Sequence, residues 1–598
     1  MPDRQPICTH VMAERYAAPG EVSASQIYTR VAHALAQAEA PAQRPLIAQE
    51  FLRNMEMGAI GAGRIMANAG THAYATMINC FVQPVGVGTP LLAFDTGLEE
   101  AGLTLAMGGG VGYDFSALPP SSASAEAKAS TPTVCAAIDR YDAACANLSF
   151  QGSRRGAQMA VLSCNHPDIL EFIRAKHGRK RWRTFNISVA VTDAFLAAVQ
   201  RDAPWPLMHC TPPDERSISR GALQLGNGLW RYRWEPARKL WAAIAAEATH
   251  SSEPGLLYID TVNRTNNLRT IETLRATNPC GEQPLPDYGC CVLGPINLTR
   301  LVKHPFGIGG KPEIDIERLG KMVRTQVRML DNVIDLTCWP LPAQAKEAFS
   351  KRRIGVGITG LADMLAMMQL RYASEAGRLA ARSVARCIRD NAYAASAELA
   401  AERAPFPLYR LGDYLSDGAI GDFLAPDVVK AIKAHGLRNS HLISFAPTGS
   451  VSLAFADGCS SGIEPAFDWV YRRRIQSHDG DSIEMTVENH AWRLWKQSHV
   501  ADLPLPRYFQ KGTDIAPEDH LAMMAALQPY VDASISKTVP VPNDYRPERA
   551  QALFVLAWQM GLKGITIFRP DKDLTSVISA ASGASASMCV AQRCGSCG

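Results

Sequence analysis

Residues Asn278 to Cys291 read Asn-Pro-Cys-Gly-Glu-Gln-Pro-Leu-Pro-Asp-Tyr-Gly-Cys-Cys, the densest run of reactive side chains in the sequence. Three prolines and two glycines ahead of Val292-Leu293 exclude a regular helix and describe a rigid loop. On such a loop Cys280 and Glu282, two residues apart, can face the same way, with the Asn278 amide beside them. A thiol, a carboxylate and an amide so grouped fit a nucleophile or radical centre with a general base; the plainer alternative is a cysteine-rich surface turn.

A second thiol group closes the chain: Cys589-Val-Ala-Gln-Arg-Cys594-Gly-Ser-Cys597-Gly598. The preceding stretch, Leu574 to Met588, is rich in Ala, Ser and Gly, and about 15 such residues reach roughly 20 Å. Cys594 and Cys597 have the spacing of a reversible disulfide, and at a mobile end they could carry electrons between an interior site and the surface. The alternative is half of a structural zinc site with Cys589 as third ligand, but no fourth ligand follows.

Three further motifs bear on ligands. Pro447-Thr448-Gly449-Ser450-Val451-Ser452 offers hydroxyls and backbone N–H groups in a glycine-containing turn, suited to phosphate oxygens or to ordinary helix capping by Thr448 or Ser450. Gly355-Val-Gly357-Ile-Thr-Gly360 fits the dinucleotide fingerprint. Phe349 to Ile354 does not read as a buried strand, however, and no acidic residue follows at the required distance, so these glycines are expected to permit close backbone packing. The basic run from Arg174 to Arg183 reads on charge alone as a solvated face.

The elements that must position these groups are those of one large α/β domain. Helical spacing of Ile27, Val31, Leu35, Ile47, Phe51 and Met55 predicts a small helical entry region within residues 1–60. Beyond it, Ile78–Val82, Asn186–Val191, Gly255–Ile259, Leu442–Ala446 and Gly564–Phe568 read as strands, and Arg318–Leu336, Gly377–Arg403 and Pro547–Met560 as helices. The catalytic body is expected over 61–573 and a flexible cysteine tail over 574–598. The chain has 598 residues, 47% hydrophobic and 20% charged, with net charge +4, which gives no electrostatic case for a nucleic-acid or membrane partner. No signal-like start or spanning run is present, so a cytoplasmic location is expected. Of the 15 cysteines, Cys8, Cys135, Cys145, Cys164, Cys210, Cys338, Cys387 and Cys459 are read as buried small hydrophobes.

The sequence resembles the large catalytic subunit of ribonucleotide reductases. Asn278-Pro-Cys-Gly-Glu282 matches, as do the spacing of Cys291 eleven positions after Cys280, Asn79-Cys80-Phe81-Val82, Gly108 to Ser116, Gln151 to Met159, Pro447 to Ser452 and Ser461-Gly-Ile-Glu-Pro465, in the family's order over about Ala59 to Asp573. The resemblance implies a ten-stranded α/β barrel of two antiparallel five-stranded halves with Cys280 on a central finger loop, usually a homodimer. It implies that Cys280 is the thiyl that takes the ribose 3′-hydrogen, that Glu282 takes the 3′-hydroxyl proton, and that Asn278 orients the hydroxyls. It further implies that Cys80 and Cys291 reduce the 2′ position and close a disulfide, which the Cys594–Cys597 pair re-reduces with electrons from thioredoxin or a similar dithiol. Cys290 rivals Cys291 for the pairing role. Asn79, Gly110, Pro447, Thr448, Gly449, Ser450 and Val451 would contact the substrate, with diphosphate favoured over triphosphate.

Family position also brings the basic run near a possible nucleotide-effector site at the dimer interface. Gly86-Val-Gly88 and Pro119 to Ser122 depart from the residues relatives keep there. The radical source follows from elimination within the family: Thr566 and Ile567 stand where oxygen-dependent enzymes have two adjacent tyrosines, and the cysteine tail stands where the anaerobic class has a glycyl-radical motif. Adenosylcobalamin remains, with no metal ligand named. The alternatives are a radical from a separate small subunit and a catalytically inactive nucleotide-binding regulator. The short segment ahead of the body implies no inhibition by dATP.

Overall fold

Runs of Val, Ile, Leu and Cys bounded by glycine, each flanked by amphipathic helices, give strands buried on both faces. A computed structural model of the chain describes residues 4–86, 91–148, 156–179, 181–476, 482–498, 505–569 and 578–580. Nine strands form the main sheet: β1 (Cys80–Val82), β2 (Gly110–Asp114), β3 (Gln158–Ser163), β4 (Phe185–Val191), β5 (Gly255–Tyr258), β6 (Cys290–Asn297), β7 (Ile354–Thr359), β8 (Thr538–Pro540) and β9 (Gly564–Phe568). Their spatial order is β7-β6-β1-β2-β3-β4-β5-β9-β8. Neighbours among β1 to β5 are parallel, as are β6 with β7 and β8 with β9. The two groups meet antiparallel at two seams, β1 against β6 and β5 against β9.

Among the described residues the sheet has nine strands where the resemblance implies ten. Leu442–Ala446, expected as a strand, makes only isolated bridges, Val356 to Ile443 and Phe445 to Ile535. Its backbone is nonetheless tied on both sides: Val356 N–H donates to Leu442 O (2.8 Å), Ser444 N–H to Val356 O (3.2 Å), and Ser536 N–H to Phe445 O (2.9 Å). The other expected strands and helices are present with ends shifted by one or two residues, such as Ile316–Leu336, Glu375–Arg403 and Pro547–Gln559. Ser374 caps the long helix by accepting from Gly377 N–H (3.1 Å).

Side chains alternate between two cores. Cys80, Val82, Met159, Val161, Ala190, Leu257, Cys291 and Leu293 share an inner cluster with Ala276, Leu285 and Ala446. The opposite faces, including Phe81, Val111, Ala160, Ile187, Cys290 and Val292, join the larger core under the helices. Helix Ile316–Leu336 packs on β6 and on Glu375–Arg403, and the N-terminal helices Ala24–Leu35 and Arg44–Met57 pack on it. A further N-terminal helix, Pro6–Arg15, lies within residues 1–60 but ahead of Ile27, the first of the apolar positions that carried the helical expectation. Two small sheets also went unforeseen: Pro204–His209 with Trp230–Pro236 and Leu223–Gln224, and Val470–Gln476 with Ser482–Glu488 and Ile578–Ala580. The last pairing places part of the stretch read as flexible from 574 in a sheet, Tyr471 facing Ala580.

Among the described residues no helix is long and apolar enough to cross a membrane. Cys210 and Cys338 are exposed, which corrects their reading as buried hydrophobes; the other six so assigned are buried. Gly355 and Gly357 lie inside β7, where a Cβ would meet Ser444 Cβ at 2.8 Å and Ser444 O at 2.7 Å respectively, so close packing is their use.

Candidate active site

The Asn278 loop is the tip of a two-stranded hairpin, Ala276–Thr277 paired with Pro284–Leu285, that lies across the inner face of the sheet. Glycine makes room for it: a Cβ on Gly112 of β2 would stand 1.7 Å from Thr277 O, and one on Gly110 would stand 3.2 Å from Pro279 Cγ. The tip is closed by its own bonds, Asn278 N–H to Gln283 O and Gln283 N–H to Asn278 Oδ1, both 3.0 Å, with Gly281 turning at φ +80°. Asn186 Nδ2 holds Pro279 O (2.9 Å), and Ser534 N–H and Ser444 Oγ both donate to Glu282 O (2.9 and 3.0 Å). The side chains of a loop so anchored have few positions open to them.

Asn278 and Glu282 are fully buried and both reach Cys80. Asn278 Nδ2 lies 3.1 Å from Cys80 Sγ, and the thiol points at Glu282 Oε1 at 3.7 Å. Across the seam, Cys80 is the register partner of Cys291, and Phe81 that of Cys290. Directly opposed residues in an antiparallel pair have Cα atoms roughly 4.5–5.5 Å apart, within the usual disulfide range. Alternation sends Cys290 to the other side, into the outer core beneath the helices. Burial pushes the Cys291 thiol well above the ordinary range, so at neutral pH it is a protonated hydrogen donor.

Cys280 faces elsewhere. It is half-buried and forms the wall of an open cleft, lined also by Ser188, Gly255, Ser534, Ser536, Lys537, Gly564 and Thr566. The cleft thus reaches the hairpin tip from the side of the second seam, away from Cys80 and Cys291. Lys537 beside it is buried, donates to Thr538 O (2.5 Å) and pairs with Glu464; burial lowers its pKa and Glu464 opposes that.

In the Pro447–Ser452 turn, Thr448 takes left-handed φ +50°, its hydroxyl bonded to Thr359 Oγ1 (2.9 Å) and accepting Gly462 N–H (2.8 Å). Thr448 therefore braces the turn from behind. Ser450 is buried, with its Oγ 2.5 Å from the Tyr16 phenol.

Residues 78–568 match the family model described as "Ribonucleotide reductase, barrel domain", and residues 3–73 match "Ribonucleotide reductase, all-alpha domain". The chain belongs to the ribonucleotide reductase family. The protein named "Vitamin B12-dependent ribonucleoside-diphosphate reductase" of Mycobacterium tuberculosis (strain CDC 1551 / Oshkosh) is 33% identical over 604 residues, covering 96% of this chain and 80% of its own. That of Thermoplasma acidophilum is 32% identical over 537 residues, covering 86% and 64%. The "Ribonucleoside-diphosphate reductase large chain" of Encephalitozoon cuniculi is 26% identical over 453 residues, covering 71% and 54%.

Of the residues singled out in this reductase-family chain, the fold gathers Cys80, Asn278, Glu282 and Cys291 in its interior and puts Cys280 at the tip between them and the cleft. Asn79 is buried next to Cys80, and its carbonyl accepts Gly110 N–H (2.8 Å). Cys589, Cys594 and Cys597, and Arg154 and Arg155 of the Gln151 motif, lie outside the described residues. Part of the basic run is paired: Lys176 is buried against Glu253 (2.5 Å), while Arg181 pairs with Asp139 (2.6 Å) and His177 with Glu247 (2.9 Å) nearer the surface. Ser444, Ser534 and Lys537 carry no motif of their own; their role at the hairpin and cleft comes from strand neighbours distant in sequence.

Proposed function

We propose that the protein reduces ribonucleoside diphosphates to 2′-deoxyribonucleotides with adenosylcobalamin as radical source; its Mycobacterium and Thermoplasma relatives are named vitamin B12-dependent ribonucleoside-diphosphate reductases. The observation that carries this reading is the meeting of Asn278 and Glu282 with Cys80 directly opposite Cys291, at the base of a hairpin that bears Cys280. Cys280, as a thiyl, takes the 3′-hydrogen. Glu282 accepts the 3′-hydroxyl proton while Asn278 fixes the hydroxyls. Cys80 and Cys291 then give up two electrons and two protons as their sulfurs bond, one proton leaving with the 2′-oxygen as water and the other hydrogen remaining on C2′; Cys280 returns its hydrogen to C3′, which regenerates the thiyl, and Glu282 gives its proton back to the 3′-oxygen. The Pro447–Val451 turn and Gly110 hold the substrate.

The residues beside Cys280 on the cleft are small: glycine at 255, 281 and 564 and hydroxyl residues at 188, 534, 536 and 566. Ser534, Ser536 and Thr566 would hold the polar edge of the cofactor. When bound, adenosylcobalamin supplies the radical by homolysis of its cobalt–carbon bond. Thr566 and Ile567 on β9 carry no phenol for a radical passed from a second subunit.

The sheet is read as a ten-stranded barrel whose tenth strand, Leu442–Ala446, bridges β7 to the chain leading into β8; the bonds on both of its sides support this. We read 1–60 as a helical region, 61–573 as the catalytic body, and Cys594 and Cys597 as the pair that passes electrons from thioredoxin to the Cys80–Cys291 disulfide, in a homodimer. The deciding experiment is turnover of CDP with adenosylcobalamin and a dithiol and no second subunit; no deoxynucleotide under those conditions rejects the reading. For the tail, Cys594→Ser should abolish turnover driven by thioredoxin and spare turnover driven by a small dithiol. Equal loss with both rejects the shuttle.

A further inference from the structure

A second cavity, which shares no lining residue with the cleft at Cys280, lies where the N-terminal helices meet the helix Gly449–Phe455. Arg4 and Tyr28 line it from the N-terminal region, Arg300 from the turn Leu298–Leu301 after β6, and Phe455, Asp457 and His490 from the body. Tyr28 is 8% exposed, and its ring is tilted against that of Phe455 with centroids 5.6 Å apart. Its hydroxyl makes no hydrogen bond to any described residue, yet the oxygen is not sealed in the core; the cavity is what it opens on. A phenol so deeply placed ordinarily has a partner. Burial pushes its pKa up to about 12, against the pull of Arg4 and Arg300, so at neutral pH it keeps its proton and is a donor.

The charges on the wall are unevenly matched. Arg4 has five N–H donors; Nη2 gives to the carbonyls of Cys8 (3.4 Å) and Ala454, while Nε and Nη1 reach no described residue. Arg300 brings a second guanidinium, with its Nη2 on Glu56 O (3.4 Å). Asp457 is the one carboxylate among the described lining residues, and His490 Nδ1 (3.0 Å) and Arg493 Nη1 (2.5 Å) already engage it. Two guanidinium groups and a protonated phenol, drawn from separate elements around one space, are a donor set for an oxyanion, and a phosphate has oxygens enough to use all three. We propose that this cavity is a phosphate-binding site, held by Arg4, Tyr28 and Arg300, for inorganic phosphate or the phosphate of a small monoester. An occupant joins the N-terminal helices to the far end of the helix that starts at the Pro447–Val451 turn. The proposal stands whether or not that turn holds substrate.

The test is isothermal titration of the full chain, at fixed ionic strength, with inorganic phosphate and separately with AMP as the monoester. At least one should bind saturably with Kd at or below about 1 mM. Tyr28→Phe, which keeps the ring against Phe455, and Arg4→Gln, at an exposed position, should each weaken that binding about tenfold or more, and Arg300→Gln should do the same. Ser450→Ala, in the proposed substrate turn, should leave it within about twofold. Binding of phosphate alone identifies the free ion as ligand, and binding of AMP alone identifies the monoester. Saturable binding of neither overturns the proposal. So does binding that Ser450→Ala removes and that Tyr28→Phe and Arg4→Gln leave intact, which would put the phosphate in the substrate turn.

Discussion

The two seams where the parallel halves of the sheet meet are built alike and furnished in opposite ways. At β1 against β6, the opposed residues are Cys80 and Cys291, both fully buried and packed among Val82, Met159 and Leu293. At β5 against β9, Gly564 faces Leu257 and Ile565 faces Leu256, and Gly255 and Thr566 nearby open onto the cleft that reaches Cys280. One seam sets two buried thiols directly opposite each other, and burial keeps that of Cys291 protonated. The other gives up side-chain volume. The hairpin lies between them, and Cys280 at its tip lines the cleft.

The sharpest way to break this comparison is at the first seam. Cys80→Ser and Cys291→Ser should each lower multiple turnover by at least about a thousandfold, while Cys290→Ser, which changes a side chain on the far face, should stay within about threefold of the parent. Quenched-flow measurement of deoxynucleotide formed per enzyme checks both arms. Loss on Cys290→Ser with retention on Cys291→Ser would reverse the register argument.

At the second seam the expected effect is smaller and falls on binding. Thr566→Tyr puts a ring into the cleft from a strand that tolerates β-formers, and should weaken adenosylcobalamin binding by roughly a hundredfold, read by equilibrium dialysis with the cofactor's own absorbance. Turnover at saturating cofactor should recover in part. Unchanged binding would show that the cofactor sits elsewhere. Between the seams, Gly112→Ala would place a methyl 1.7 Å from Thr277 O and must shift the hairpin; roughly a thirtyfold loss of kcat with a folded protein is expected from displacement of Glu282 and Cys280. Full activity in Gly112→Ala would show that the hairpin tolerates movement.

How much of this the sequence revealed depends on where the information lies. The Asn278–Glu282 group, Cys80, Cys291 and strand Gly564–Phe568 were legible because local motifs and a family pattern carry them. The choice of Cys291 over Cys290 rested on the family spacing alone; the physical ground, which face of β6 each side chain takes, comes only through pairing with β1. Strand Leu442–Ala446 was read as a short β-branched and aromatic run but pairs only through isolated bridges, because its partners are divided between β7 and the chain before β8. Tyr16, Ser444 and Ser534 were invisible: a lone tyrosine or serine has no local signature, and each acts by a bond to a residue more than 150 positions away.

The smallest effect concerns how the hairpin is rooted to the reducing seam. Glu272, four residues before Ala276, accepts from Lys351 Nζ (2.8 Å) and Asn266 Nδ2 (2.9 Å) and pairs with Arg353, which immediately precedes β7. Burial alone would raise its carboxyl pKa, but Arg353 and Lys351 overcome this and hold it at about 2. Because the folded pKa lies below the unfolded one, the unfolded chain binds the proton more tightly. The stabilisation is fully present above about pH 4.5 and is lost as pH falls through about 2, to the extent of about 3 kcal/mol. Urea unfolding of the parent should therefore weaken between pH 4.5 and 2 more steeply than that of Glu272→Gln, whose amide has no proton to gain. Glu272→Gln should also be less stable at neutral pH, since it leaves Arg353 buried with Glu347 as its remaining carboxylate partner among the described residues. Parallel pH profiles for the two proteins would mean that Glu272 is not what ties the hairpin root to β7.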